Sequence, residues 1–265
     1  MSIDFPINTL VLTIGTMIAS GTVSWFILSQ GLERIDVSQN VRRKWRWGAA
    51  ILLSGWLLAR LVLAAFPPGE AVLATQFLIT FISFGYGLAV GILLLASSVF
   101  RQVVRAIPAS WLIAPHAIRL AGFLFLALMD MKLLPAEFAL SAGYGDFLTG
   151  LLALGMVYLF EKKKPYARTL AIGWNAFGLL DFISALITGA IYIVPFATQL
   201  ASSGGSLSYL NYVLVVPSFG VPLYASLHIY SLIQIFSRRA DERKQNIEGQ
   251  LQAPVFQGEG RSTRS

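Results

Sequence analysis

The residues with chemistry to offer lie where chemistry is hardest to place. Arg60, His116, Arg119, Asp146, Asn175, Asp181 and His228 all fall inside long apolar segments. A guanidinium at the centre of a bilayer costs at least about 2.5 kcal/mol on insertion scales, so it must meet a carboxylate, a carbonyl or water inside a helix bundle. Three kinds of chemistry suit these types. An arginine with an acid as counter-ion can bind or balance the charge of a small solute, anions included. An imidazole exchanges protons near neutral pH. Two histidines on different helices, His116 and His228, offer axial ligands to a haem.

The apolar segments that must position these groups are Ile7–Gln30, Trp47–Phe66, Val72–Ser98, Ser110–Asp130, Ala142–Phe160, Thr169–Ile193 and Asn211–Phe236. Each is about 19 to 27 residues long, enough to span ~30 Å of hydrocarbon at ~1.5 Å per residue. The fold class expected is therefore all-α: a polytopic membrane protein of seven transmembrane helices. Residues 1–236 form its transmembrane domain, and 237–265 a polar, disordered cytoplasmic tail with room for an extension of the last helix. Composition agrees, with 56% hydrophobic and 12% charged residues and a mean hydropathy of +0.68. A soluble domain carries about 25% charge.

A pI near 9.8 does not indicate nucleic acid here, because the basic residues sit in short loops between apolar runs. Arg34 to Arg46, Arg101 and Arg105, Lys162 to Arg168, and Arg238 to Lys244 occupy alternate connections, and the intervening loops hold almost none. By the positive-inside rule the N-terminus is outside and the C-terminus cytoplasmic, as in a cell inner membrane. Trp45, Trp47 and Trp111 stand at the expected cytoplasmic boundaries as interfacial anchors. Pro67-Pro68-Gly69 is expected as an external turn, and Ala201–Ser208 as a flexible loop. The stretch before the first segment lacks Lys and Arg, so a retained first helix is expected rather than a cleaved signal peptide. No cysteine is present, which removes disulfides, thiolate metal sites and cysteine nucleophiles together.

Counting ~1.5 Å per residue from each cytoplasmic end gives two levels. His116, Arg119, Asn175 and His228 lie on the inner one; Arg60, Asp146 and Asp181 lie on the outer one. The simplest pairing is Arg60 with Asp146 and Arg119 with Asp181. Arg60 has a second outlet, snorkelling to the external surface, and Asp146 another, capping the start of the fifth helix. In the sixth segment Trp174, Gly178 and Asp181 share one face, which should look into the bundle. Ser83, Gly87 and Gly91 form a small-residue stripe expected to pack, and Ala142, Asp146 and Gly150 form another with an acid at its middle. Pro217 and Pro222 interrupt the last helix and free carbonyls.

Three stretches, AGYGD (Ala142–Asp146), WNAFGLLD (Trp174–Asp181) and PLYASLH (Pro222–His228), resemble motifs of a group of uncharacterised bacterial multi-pass inner-membrane proteins. The resemblance covers the fourth to seventh segments and implies that setting without an activity. Retinal proteins need a Schiff-base lysine in the last helix, and Asn211–Phe236 has no lysine. Seven-span zinc hydrolases of the ceramidase and adiponectin-receptor type use three histidines, and this chain has two. HExxH, GxSxG and phosphate-loop motifs are absent. The leading expectation is a carrier of a small solute or protons. A non-catalytic assembly or sensory subunit and a haem-binding or other membrane-embedded enzyme are the alternatives.

Overall fold

The computed structural model describes residues 7–65, 70–205 and 207–252. Among them there is no strand, and seven helices are long and apolar enough to cross a membrane. The protein is an all-α, multi-pass membrane protein. Leu58, Leu78, Ile82 and Leu180 are each at least 60% exposed, whereas arginines and histidines are buried. That is the reverse of a soluble fold and the arrangement expected against lipid.

The first three spans are α1 (Ile7–Leu32), α2 (Gln39–Ala64) and α3 (Glu70–Leu94). Ser38 caps α2 by accepting from the Val41 N–H at 3.4 Å. The third connection, which is basic, contains a helix of its own, α4 (Ser98–Ala106), capped by Ser97. Its Phe100, Val103 and Val104 are buried, an i, i+3, i+4 set that lays one face on the bundle.

The fourth span is not a regular helix. It begins as α5 (Ala109–Ile113), tightens into a 3-10 helix over Ala114–Gly122, and ends as α6 (Phe123–Asp130). Nine residues of 3-10 helix exceed the usual three or four. Pro115, which has no N–H to give to an α-type bond, stands near its start. Side chains repeat every three residues in such a helix, so His116, Arg119 and Gly122 share one face, and all are buried.

The fifth and sixth spans are α7 (Ala136–Glu161) and α8 (Ala167–Ser202). The turns before each place a lysine in left-handed backbone, Lys132 at φ 61° and Lys163 at φ 50°. Both close the preceding helix in the same way: Leu133 N–H donates to Leu128 O and Lys164 N–H to Leu159 O, at 2.9 and 3.0 Å. The last span is α9 (Ser208–Val213), a π-helical stretch Val216–Gly220, and α10 (Val221–Gln252). Pro222 has no N–H for the Ser218 carbonyl, and the Ser83 hydroxyl takes that place at 3.1 Å.

Several expected boundaries change. The fifth span starts at Ala136 rather than Ala142, directly after Pro135, so Asp146 sits mid-helix and caps nothing. The sixth runs to Ser202 through Pro195 rather than ending at Ile193, which shortens the flexible Ala201–Ser208 stretch. Ile193 and Ala197 are buried against Leu207 and Leu210, and this packing carries the helix past the predicted end. The tail beyond Phe236 continues as helix to Gln252. Pro67-Pro68-Gly69 and residues 253–265 lie outside the described residues.

The centre of the bundle is α7, which packs along both the 3-10 stretch and α8. A Cβ at Gly150 would meet the backbone of His116, Arg119 and Leu120 at 2.6–3.1 Å, so glycine there lets α7 lie directly on the irregular helix.

Candidate functional site

Arg119 is the hub. Its Nε donates to Asp146 Oδ1 at 2.7 Å and its Nη2 to Asp181 Oδ2 at 2.5 Å. The guanidinium carbon lies 4.0 Å from the centroid of the Phe182 ring. Nη1 faces His228 Nε2 at 3.1 Å. Arginine only donates, so that histidine nitrogen accepts and the ring proton resides on Nδ1. Nδ1 then donates to Asn175 Oδ1 at 2.8 Å, and Asn175 Nδ2 donates onward to Ala171 O at 2.8 Å and Ser231 Oγ at 3.1 Å. Every link from the carboxylates to α10 therefore has a fixed direction.

His116 packs beside this chain, its ring centroid 4.0 Å from that of His228 and 5.0 Å from that of Trp174. Trp174 is held in turn by a 3.1 Å bond to Thr149 O. Both His116 ring nitrogens are buried without a hydrogen-bond partner among the described residues. The direct contact of the two imidazoles leaves no layer for a macrocycle between them, so a haem held by His116 and His228 does not fit. Among the described residues, no group of three or more His, Asp or Glu side chains is placed to hold a metal ion.

Of the expected site residues, His116, Arg119, Asp146, Asn175, Asp181 and His228 meet in this cluster. Arg60 does not. The expected Arg60–Asp146 pair is absent, because both aspartates turn to Arg119. The depth count set Arg119 too far inward: a 3-10 helix rises ~2.0 Å per residue rather than ~1.5 Å, which closes part of the distance to the acids, and the long side chain spans the rest. Arg60 does not snorkel either; it is 2% exposed and bonds Ser218 Oγ at 2.7 Å.

Glycines make the room. A Cβ at Gly145 would strike the Asp181 carboxylate, and one at Gly178 would strike the His228 ring. Gly145 and Phe182 stand beside aspartates in the sequence, a signal that carried no role until the helices were packed. Tyr224, tilted against His116 and bonded to Ser20 at 2.6 Å, had no such signal.

The charges do not cancel locally. With both aspartates ionised the cluster carries one formal negative charge in excess. Asp146 is also its accessible member, with a side chain 16% exposed against 5% for Asp181. It opens, with Arg119, on a cavity of about 50 Å³ lined also by Thr13, Thr16 and Tyr224. That volume accommodates a few waters. Thr13 and Thr16 spend their hydroxyl protons on α1 carbonyls at 2.9 and 2.8 Å.

The sequence profile of a family described as a domain of unknown function, DUF8737, matches residues 76–236. The chain belongs to the DUF8737 family. The matched region runs from α3 into α10 and contains the whole cluster around Arg119; Arg60 and the first two spans lie outside it. Comparison with curated proteins and with solved structures finds no match.

Proposed function

We propose that this DUF8737 protein is a proton-carrying membrane transporter, with Asp146 and Asp181 sharing one exchangeable proton over Arg119. The observation that carries the reading is the two-to-one ratio of buried carboxylates to guanidinium, with Asp146 facing the cavity. An excess charge in low dielectric is costly, and a proton bound to the pair removes it. Arg119 fixes the geometry of both acids rather than serving as a receptor for an anionic solute, since Nε, Nη1 and Nη2 each have a protein partner. His228 and Asn175 hold the guanidinium from the other side.

The same reading places the N-terminus outside and the C-terminus in the cytoplasm, supported by the alternation of basic loops. It assigns the protein to a bacterial inner membrane, supported by the resemblance of the three motifs around the cluster. The readings as assembly subunit and as membrane enzyme have no specific geometric support.

Infrared difference spectroscopy across pH tests the shared proton. A protonated carboxyl band should be present at neutral pH, titrate on alkalinisation, and vanish in Asp146→Asn. Absence of the band at every pH overturns the reading. Wild-type protein in liposomes with a trapped pH dye should then move protons along an imposed potential, and Asp146→Asn should not.

A further inference from the structure

Arg60 is a permanent cation placed where no side chain among the described residues offsets its charge. The residue is 2% exposed and forms no ion pair among the described residues. Its Nε donates to Ser218 Oγ at 2.7 Å and its Nη2 to Thr80 Oγ1 at 3.4 Å, and Nη1 has no partner among the described residues. Both hydroxyls give their own protons to backbone: Thr80 to Gln76 O at 2.7 Å, Ser218 to Leu214 O at 2.8 Å. They therefore offer lone pairs to the guanidinium and orient it, and they leave its full charge in place.

The holder is built rather than incidental. Ser218 belongs to the π-helical stretch Val216–Gly220, which contains Pro217, and its carbonyl, freed by Pro222, is pinned by Ser83 at 3.1 Å. Ser83 is fixed in turn by Trp56 Nε1 at 2.9 Å, one helical turn before Arg60 on α2. The result is a rigid, buried guanidinium with one free N–H edge. Water satisfies an N–H but does not neutralise a cation, and arginine does not release its proton. A charge of this kind at membrane depth needs a counter-charge.

We infer that Arg60, oriented by Ser218 and Thr80, is the receptor for one singly charged anion. A single guanidinium matches a monovalent species, and a dianion would recreate the imbalance with opposite sign. The shared chemistry is a compact anion accepting from the free Nη1 edge, supplied as a free halide-type ion or as the phosphodiester of a lipid headgroup. Arg60 lies about one turn from the end of α2, within reach of the interface from either source.

The test is thermal unfolding of the purified full chain in detergent, followed by tryptophan fluorescence. One arm replaces gluconate with chloride at constant ionic strength; the other adds phosphatidylglycerol in gluconate. A saturable rise in melting temperature with chloride identifies a free ion, and one with lipid alone identifies a headgroup. Arg60→Gln should shift half-saturation by at least about tenfold, while Gly155→Ala, with nothing within 4 Å, leaves it in place. If Arg60→Gln does not fold, Arg60→Lys, which keeps the charge and loses the planar fork, should shift it by at least about threefold. A wild-type protein indifferent to both additives overturns the inference, as does half-saturation unchanged in the arginine variant.

Discussion

The two buried arginines are solved in opposite ways. Arg119 has two aspartates, a histidine and an aromatic face around it, and its site carries one negative charge too many. Arg60 has two hydroxyls and no acid among the described residues, so its site carries one positive charge too many. Summed over the bundle the four charges cancel. Separated between two sites, each leaves a demand for a small mobile ion, a proton at one and an anion at the other. Local packing, and not the total charge of the membrane segment, decides what each site can bind.

Removing each arginine is the sharpest way to break this contrast. Arg119→Met leaves two carboxylates facing each other without a cation and should cost about 3–5 kcal/mol of unfolding free energy. Arg60→Met removes a charge that has no acid, and in gluconate without anionic lipid it should cost less than about 1.5 kcal/mol. Thermal or denaturant unfolding in detergent compares them, and equal losses would refute the distinction.

Neutralising the acids sharpens the same point. Asp146→Asn or Asp181→Asn alone leaves a one-to-one pair with Arg119 and should cost less than about 1.5 kcal/mol, while the double variant strands the arginine and should cost about 3–5 kcal/mol. Additive losses would mean that the acids act independently. The reciprocal swap Arg119→Asp with Asp181→Arg should fail to restore wild-type stability, because Asp146 then faces a second acid at position 119. Recovery to within about 0.5 kcal/mol of wild type would argue against the three-charge arrangement.

A separate effect concerns space. Gly145→Ala should push the Asp181 carboxylate off Arg119 and cost about 1–3 kcal/mol, whereas Gly155→Ala, on the same helix with nothing within 4 Å, should be neutral or slightly stabilising. Equal melting temperatures for the two variants would show that the cluster tolerates displacement of Asp181.

Much of the architecture was legible because the bilayer imposes a simple rule: about twenty apolar residues cross it, and polar residues within such a run must turn inward. Trp174, Gly178 and Asp181 were predicted on one inward face of the sixth span, and all three are buried there. The partner of Arg60 was misread because both aspartates go to one arginine. A depth count from ideal α-helix rise places residues along an axis, but it contains neither the 3-10 stretch after Pro115 nor the rotation of α7 on Gly150. Helix ends were misread at the start of α7, which follows Pro135 six residues before the expected Ala142. They were also misread where tertiary contacts extend the helix, as around Ile193 and Ala197.

The sequence by itself determined that seven helices lie in a membrane-type chain and that a small set of ionisable residues sits inside them, since length and hydropathy are local properties. Tertiary structure decided which charges meet. Pairing depends on helix rotation, on glycine contacts that bring backbones together, and on departures from ideal helix at prolines. These vary by a few ångströms that no spacing along the chain records. That scale is enough to give one arginine two acids and the other none.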